Sequence, residues 1–214
     1  IRYTSPHPKD INEELLEIMA KHDNICNYTH LPLQAGSNRI LKRMNRTYTK
    51  EGFIDLAEKI RTYLPGVGIS TDIIVGFPGE SEEEFNETLE VMRKVKFDSA
   101  FTFKYSPRKG TKAIEYDDQL GEDEKQNRLT KVIELQKYNT ELRNQSYVGK
   151  VVDVLIEKKS KRNENKWAGR TDSNKWVIFD KSNVNIGDIV PVLINELKGI
   201  TLHGNILSLQ EMEA

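Results

Sequence analysis

Val67-Gly68-Ile69-Ser70-Thr71-Asp72-Ile73-Ile74-Val75 runs directly into Gly76-Phe77-Pro78-Gly79-Glu80 and then Ser81-Glu82-Glu83-Glu84-Phe85. The first nine residues are rich in β-branched side chains and read as a buried strand. Two glycines and a proline make a tight turn, and Ser81 with Glu84 three positions on has the form of a helix capping box. Phe85, Leu89, Met92 and Val95 then recur on one helical face. Strand, turn and amphipathic helix in this order make a βα unit, and the same pattern extends in both directions.

Upstream, Ile1 to Ser5 and Tyr28 to Leu33 read as strands, and downstream Ser99 to Tyr105 reads as a fourth. Between them Asp10, Ser37 and Thr49 stand as helix caps, and Pro65-Gly66 stops the helix that begins at Thr49. Four parallel strands joined by helices fit an open sheet or part of a barrel; in both, ligands sit at the carboxyl ends of the strands. That rule points to Ser5 and His7, Gln34 to Ser37, Gly76 to Glu80, and Tyr105 to Thr111. Gly121 to Tyr147 carries Leu129, Val132, Ile133, Leu135 and Leu142 roughly in helical phase and is expected as a connecting helix. Beyond it the period shortens to two, with strands expected at Val152 to Ile156, Trp176 to Phe179, Ile189 to Ile194 and Ile206 to Leu209. Closely spaced short strands of this kind suggest a small β-barrel. The expected division is 1–120, 121–145 and 146–214.

The chain has 214 residues, enough for one or two domains. Its longest apolar run, about five residues, is too short to span a bilayer, so no membrane association is expected. Lys and Arg number 32 against 33 Asp and Glu, so any attraction for a polyanion must be local. The one cysteine cannot close a disulfide, ligate an iron–sulfur cluster or form a Cys-rich zinc site, and a reducing, cytoplasmic compartment is expected. The opening Ile-Arg-Tyr-Thr-Ser suggests a piece of a longer protein.

Asp72 interrupts an apolar strand, where a carboxylate must be paired or bound to a ligand; Arg46 is a candidate ion-pair partner and a bound ligand is the alternative. Gln34 offers both amide functions at a strand end, with Gly36 and Ser37 opening a helix. The turn from Gly76 to Glu80 allows close main-chain approach to a nucleotide, and is equally plain turn chemistry. His7 is read as structural or substrate-contacting, with no metal site assigned, and Cys26 as an inert thiol. Between Lys158 and Lys175, seven cations face two carboxylates, a local charge of +5. Lys158, Lys159, Lys161, Arg162, Lys166 and Arg170 on a hairpin with Trp167 at its base could hold phosphates and stack a base, or form a solvated loop over core tryptophans.

Several strings are more particular than a fold requires: Arg2 to Pro8, His30-Leu31-Pro32-Leu33-Gln34-Ala35-Gly36-Ser37, Arg43-Met44-Asn45-Arg46, Ser70 to Glu80, and Phe103 to Arg108. Together they closely resemble the radical S-adenosylmethionine methylthiotransferases, on the tRNA-adenosine side of that family. Ala168-Gly169-Arg170-Thr171-Asp172 and Leu202-His203-Gly204 resemble the TRAM RNA-binding module. The resemblance implies an α/β, incomplete TIM-type barrel with parallel strands, followed by a small all-β, OB-like TRAM barrel. It implies an enzyme that binds S-adenosylmethionine and, in full length, two 4Fe-4S clusters, and that adds a methylthio group to isopentenyladenosine near the anticodon of tRNA. An electron donor and a monomeric state go with that reading.

On the same resemblance, Gln34, Arg46 and Asp72 match positions that hold the methionyl and ribose parts of the cofactor, with Thr4, Ser5 and Tyr105 adding contacts. No C-x-x-x-C-x-x-C is present, so no catalytic residue is assigned in this segment and the segment alone is expected to be inactive. Alternatives are a stand-alone RNA-binding protein with a non-catalytic α/β part, or a methylthiotransferase acting on a ribosomal protein or on threonylcarbamoyladenosine tRNA.

Overall fold

A computed structural model describes residues 1–3 and 7–207. Strands β1 (Tyr28–His30), β2 (Gly68–Val75) and β3 (Ser99–Lys104) form a parallel sheet in the order β1-β2-β3. Helix α1 (Glu13–Lys21) precedes β1, and helices α2 (Asn38–Arg43), α3 (Lys50–Tyr63) and α4 (Glu82–Val95) fill the two crossovers. α1, α3, α4 and α5 (Glu122–Gln145) pack in sequence along one side of the sheet. The expected first strand is absent where it can be seen. Ile1–Tyr3 joins no ladder; its main-chain bonds are Cys26 N–H to the Ile1 carbonyl at 2.8 Å and the Ile1 ammonium to the Asn24 carbonyl, and residues 4–6 lie outside the described residues.

The pleat divides the sheet's two faces. Thr29, Ile69, Thr71, Ile73 and Val75 point to the helices and, with Phe53, Ile60, Phe85, Met92 and Val132, are buried in one core. The capping box at Ser81 and Glu84 forms, and Ser37 and Thr49 cap α2 and α3. Asp10 does not cap the first helix: Pro8–Asp10 forms a separate turn, and Asn12 accepts the Leu15 N–H instead. Gly36 is required by contact, because a Cβ there would lie 2.4 Å from the Thr88 Cα, whose side chain takes the Gly36 N–H at 2.8 Å.

α5 is docked rather than free, and through a polar stripe. Lys125, Arg128, Val132, Gln136, Asn139, Thr140 and Asn144 are buried, whereas Ile133 and Leu142 are exposed. Its amides serve main-chain carbonyls: Gln136 donates to the Phe97 carbonyl at 2.8 Å, and Asn139 at 3.0 Å to the Met92 carbonyl near the end of α4, which also accepts the Lys96 N–H. Arg128 donates to the Glu80 carboxylate at 2.7 Å and to its carbonyl at 2.9 Å, both side chains almost fully buried.

Strands β4 (Val151–Lys159), β5 (Lys166–Thr171), β6 (Trp176–Asp180), β7 (Ile189–Lys198) and β8 (Thr201–Ile206) close a barrel in the order β4-β5-β6-β8-β7. Val154, Ile156, Trp167, Val177, Phe179, Val192, Ile194 and Leu202 fill it. The basic hairpin supplies a full strand, β5, and the last strand lies at Thr201–Ile206 rather than from Ile206 onward; residues 208–214 lie outside the described residues.

The barrel meets the sheet at the amino ends of β2 and β3. Asp98, buried, pairs with Ile69 through its own N–H and through Oδ2, while Oδ1 takes Arg143 Nε at 3.1 Å and Lys175 Nζ at 2.5 Å. Lys175 belongs to the barrel; burial lowers its ammonium below the ordinary value and Asp98 pulls it back up. A Cβ on Gly68 would stand 2.3 Å from the Ser173 carbonyl of the barrel's β5–β6 turn. Arg2 to Thr171 and Asn144 to Ile200 add hydrogen bonds at 2.9 and 2.7 Å.

Candidate cofactor site and RNA surface

Opposite the helices the parallel sheet presents Tyr28 and His30 from β1, Ser70, Asp72 and Ile74 from β2, and Phe101 and Phe103 from β3. Phe101 and Phe103 are 58% and 52% exposed, large values for phenylalanines on a sheet face. Asp72 lies mid-face and its Oδ2 is 3.3 Å from His30 Nε2, so its side-chain partner is His30 and not Arg46.

Gln34 follows β1 past an irregular step and rejoins the sheet by a bridge to Ile73. Its N–H donates to the Asp72 carbonyl and its carbonyl accepts from Ile74 N–H, both at 2.8 Å. The residue holds φ = 67°, a left-handed conformation that costs a non-glycine ~1–3 kcal/mol and is found where the surroundings enforce it. The surroundings here are the loop from Gln34 to Ser37, tied to α4 by Ser37 Oγ donating to Glu84 and by Arg39 donating to both oxygens of that carboxylate at 2.7 and 2.6 Å. These donors, Arg39 foremost, hold the Glu84 carboxyl down at about 2.

Arg46 is placed by the end of α2. Met44 is the C-cap, Asn45 turns left-handed at φ = 58°, Asn45 N–H bonds Lys42 and Arg46 N–H bonds Leu41, the two closures of a Schellman motif. Its Nε is buried with no partner among the described residues. Tyr48, two residues on, donates to the carbonyls of Pro32 and Leu33 at 3.0 Å each. Burial pushes the Tyr48 hydroxyl up to about 12, with Arg46 opposing and Asp72 adding to the rise. Gln34 is joined to Asp72 through the backbone, and Tyr48, two residues after Arg46, bonds the carbonyls of the two residues before Gln34, which ties the Arg46 segment to the end of β1.

Tyr105 continues past β3 with its N–H on the Val75 carbonyl at 2.8 Å, and its ring packs edge-on against Phe77 at 5.1 Å. Its hydroxyl is buried without a partner among the described residues, and burial raises it above the ordinary value. Thr4 and Ser5 lie outside the described residues. The glycine turn is occupied from within: Gly76 N–H donates to Glu80 Oε2, Gly79 N–H to the Asp118 carbonyl, and Arg39 to the Gly79 carbonyl. It fastens α4 and α5 and has few main-chain groups left for a nucleotide. His7 takes the Lys9 N–H and sets its ring against Tyr48, a structural role. Clefts of about 380 and 370 Å³ along β3 and α5 contain none of Gln34, Arg46 and Asp72; the candidate site is an open sheet face.

His30, Tyr48 and Phe101 escaped sequence reasoning. The alternation of Tyr28 and His30 against Thr29 and Leu31 held a signal for His30, but only the parallel register sets it beside Asp72.

On the barrel, Lys158, Lys159, Lys161 and Arg162 are exposed and have no ion pair among the described residues. The other cations of the segment are engaged: Lys166 with Asp180 at 3.2 Å, Arg170 with Glu157 at 2.6 Å, and Lys175 with Asp98. Trp167 is a core residue, 9% exposed, so its ring faces cannot take a base. The exposed indole is Trp176, with Lys158 Nζ 4.3 Å and the Arg170 guanidinium 5.1 Å from its ring centre.

Residues 1–92 match the Radical SAM superfamily and residues 145–207 the TRAM domain. The chain is 47% identical over 204 residues to the tRNA-2-methylthio-N(6)-dimethylallyladenosine synthase of Clostridium tetani, covering 95% of this chain and 45% of that protein. It is 48% identical over 204 residues to the synthase of the same name from Carboxydothermus hydrogenoformans, covering 95% and 46%. The chain thus spans a little under half the length of the curated relatives it matches. Among solved structures, Escherichia coli coproporphyrinogen III oxidase, described as a radical SAM enzyme, superposes with a TM-score of 0.53 over 78% of this chain and 45% of that one, at 14% identity, a likeness of fold alone. With its parallel sheet and closed barrel, the chain joins a Radical SAM superfamily segment to a TRAM domain and is a relative of the tRNA-2-methylthio-N(6)-dimethylallyladenosine synthases.

Proposed function

We propose that this chain is the carboxyl-terminal part of a tRNA methylthiotransferase that modifies C2 of isopentenyladenosine near the anticodon. In this reading residues 1–120 belong to the radical-enzyme barrel, 121–145 to the connecting helix and 146–214 to the RNA module. The observation that carries it is the backbone link of Gln34 to Asp72 on an open sheet face, with the Arg46 segment tied beside it through Tyr48, in a chain nearly half identical to such synthases. A stand-alone RNA-binding protein has no use for a strained Gln34 and a buried Arg46 Nε without a partner among the described residues.

The residues fit S-adenosylmethionine: Arg46 suits its carboxylate, Asp72 its ribose hydroxyls and Gln34 either, with Tyr105 on the adenine side and Thr4 and Ser5 adding contacts. They do not fit a 4Fe-4S cluster, which needs several thiolates where this chain has Cys26 alone. The bound cofactors supply the radical and sulfur chemistry; this chain's residues bind, orient and exclude water. The two clusters and the electron donor are matters for the whole protein, and the isolated chain is catalytically silent. No helix among the described residues is long and apolar enough to cross a membrane.

The test is to incubate the full-length, cluster-loaded protein with tRNA carrying isopentenyladenosine, with tRNA carrying threonylcarbamoyladenosine, and with ribosomal protein, and to follow the mass of a methylthio group. Gain on the first alone is expected; gain on either of the others replaces this substrate. For the RNA surface, reversing Lys159 and Arg162 to glutamate weakens anticodon-stem binding and flattens the dependence of log K on log salt by ~1–2 units. An unchanged slope removes the β4–β5 hairpin from the RNA contact.

A further inference from the structure

Three side chains that the cofactor reading leaves unused, Tyr28, Ser70 and His30, form a continuous line on the open face that reaches Asp72. The Tyr28 hydroxyl lies 2.5 Å from Ser70 Oγ, Ser70 Oγ lies 2.7 Å from His30 Nδ1, and His30 Nε2 lies 3.3 Å from Asp72 Oδ2. An ionised carboxylate only accepts hydrogen bonds, so the imidazole must present N–H at Nε2. In the neutral ring that leaves a lone pair on Nδ1, which Ser70 meets by donating its hydroxyl, and Ser70 in turn accepts from Tyr28. Every donor then has one acceptor and the line ends on Asp72. With the opposite tautomer, the Nε2 lone pair would face the carboxylate.

The line is held at each step. Ser70 is fully buried, and the edge of Phe101 lies against the imidazole with ring centres 5.9 Å apart. The Arg2 guanidinium stands 5.7 Å from the centre of the Tyr28 ring while donating to the Thr171 carbonyl of the barrel. Only one carboxylate oxygen of Asp72 is spent on His30.

We propose that His30 is a positioning residue: held by Ser70 in the Nε2–H tautomer, it fixes the Asp72 carboxylate so that the remaining oxygen accepts from the ribose hydroxyls of the bound nucleoside. The proposal rests on the assignment of Asp72 to that nucleoside, and its test separates the two. In the full-length protein, S-adenosylmethionine affinity is measured by calorimetry for D72A, S70A, Y28F, H30A and H30Q. The tautomer of His30 is read from the ring nitrogen shifts of histidine-labelled protein, its signal identified by its loss in H30Q.

The expected result is an Nε2–H tautomer in the unaltered protein that S70A disturbs. Affinity should fall ~10-fold or more in D72A, ~3–10-fold in S70A and H30A, and less in Y28F. H30Q should recover part of the H30A loss, because its amide can donate to Asp72, and S70A should add nothing to H30Q. If D72A binds as the unaltered protein does, the cofactor assignment itself fails. If D72A is impaired while S70A and H30A bind normally, or if His30 carries its proton on Nδ1 or on both nitrogens, the positioning role is overturned. Should H30A not fold, H30Q and S70A carry the test.

Discussion

The parallel sheet covers one face with helices and leaves the other open, whereas the barrel a few residues later closes on itself and buries its whole interior. In the barrel, Phe179 and Ile194 are fully buried in a core of apolar side chains. In the sheet, Phe101 stands beside Asp72 and His30 on a surface with no cover among the described residues. A barrel that pairs its last strands has no free edge to manage, and its inner positions are chosen for volume. An open face serves a ligand, and its side chains are chosen for chemistry at some expense in stability. Removing a large ring should therefore have opposite consequences in the two regions.

The largest effect is expected in that contrast. Phe179→Ala should cost ~3–5 kcal/mol in chemical denaturation of the barrel, and Phe101→Ala within ~0.5 kcal/mol of nothing. Equal losses would mean that the open face is packed in solution. An intermediate effect is expected where the two regions join. Gly68→Ala suits a strand backbone but drives a Cβ into the Ser173 carbonyl, so a loss of ~1–3 kcal/mol should be accompanied by faster amide exchange at Thr171 and Lys175. Lys175→Met should act in the same direction, because it leaves Arg143 as the one cation on Asp98 among the described residues. Unchanged exchange in both variants would make the junction incidental.

The smallest effect is a pH dependence confined to the sheet. The Glu84 carboxyl is held at about 2 in the fold against an ordinary 4.5, so its contribution is complete above pH 4.5 and is lost as pH falls through 2. Glu84→Gln should flatten the acid limb of stability in that window while the limb due to the barrel stays as it was.

Local rules made much of this architecture legible. The caps at Ser37, Thr49 and Ser81, the stop at Pro65-Gly66, and the strand from Val67 to Val75 depend on neighbours within four residues, and each appears where its chemistry requires. Asp10 failed because Asn12 offered the same chemistry two residues nearer the helix. The apolar phase of α5 misled because its docked face works by hydrogen bonds to main-chain carbonyls, which apolar periodicity does not record.

The sequence by itself determined the βα units, the alternating strands, and the residue types at the candidate site. Tertiary structure alone decided that Asp72 meets His30 instead of Arg46, that Trp176 instead of Trp167 faces solvent, and that Lys175 leaves the basic surface to bind Asp98. The division has one physical reason. Caps and turns are settled by atoms a few bonds apart, while Asp72 and His30 are 42 residues apart and Lys175 and Asp98 77, brought together by strand register and by the contact between sheet and barrel.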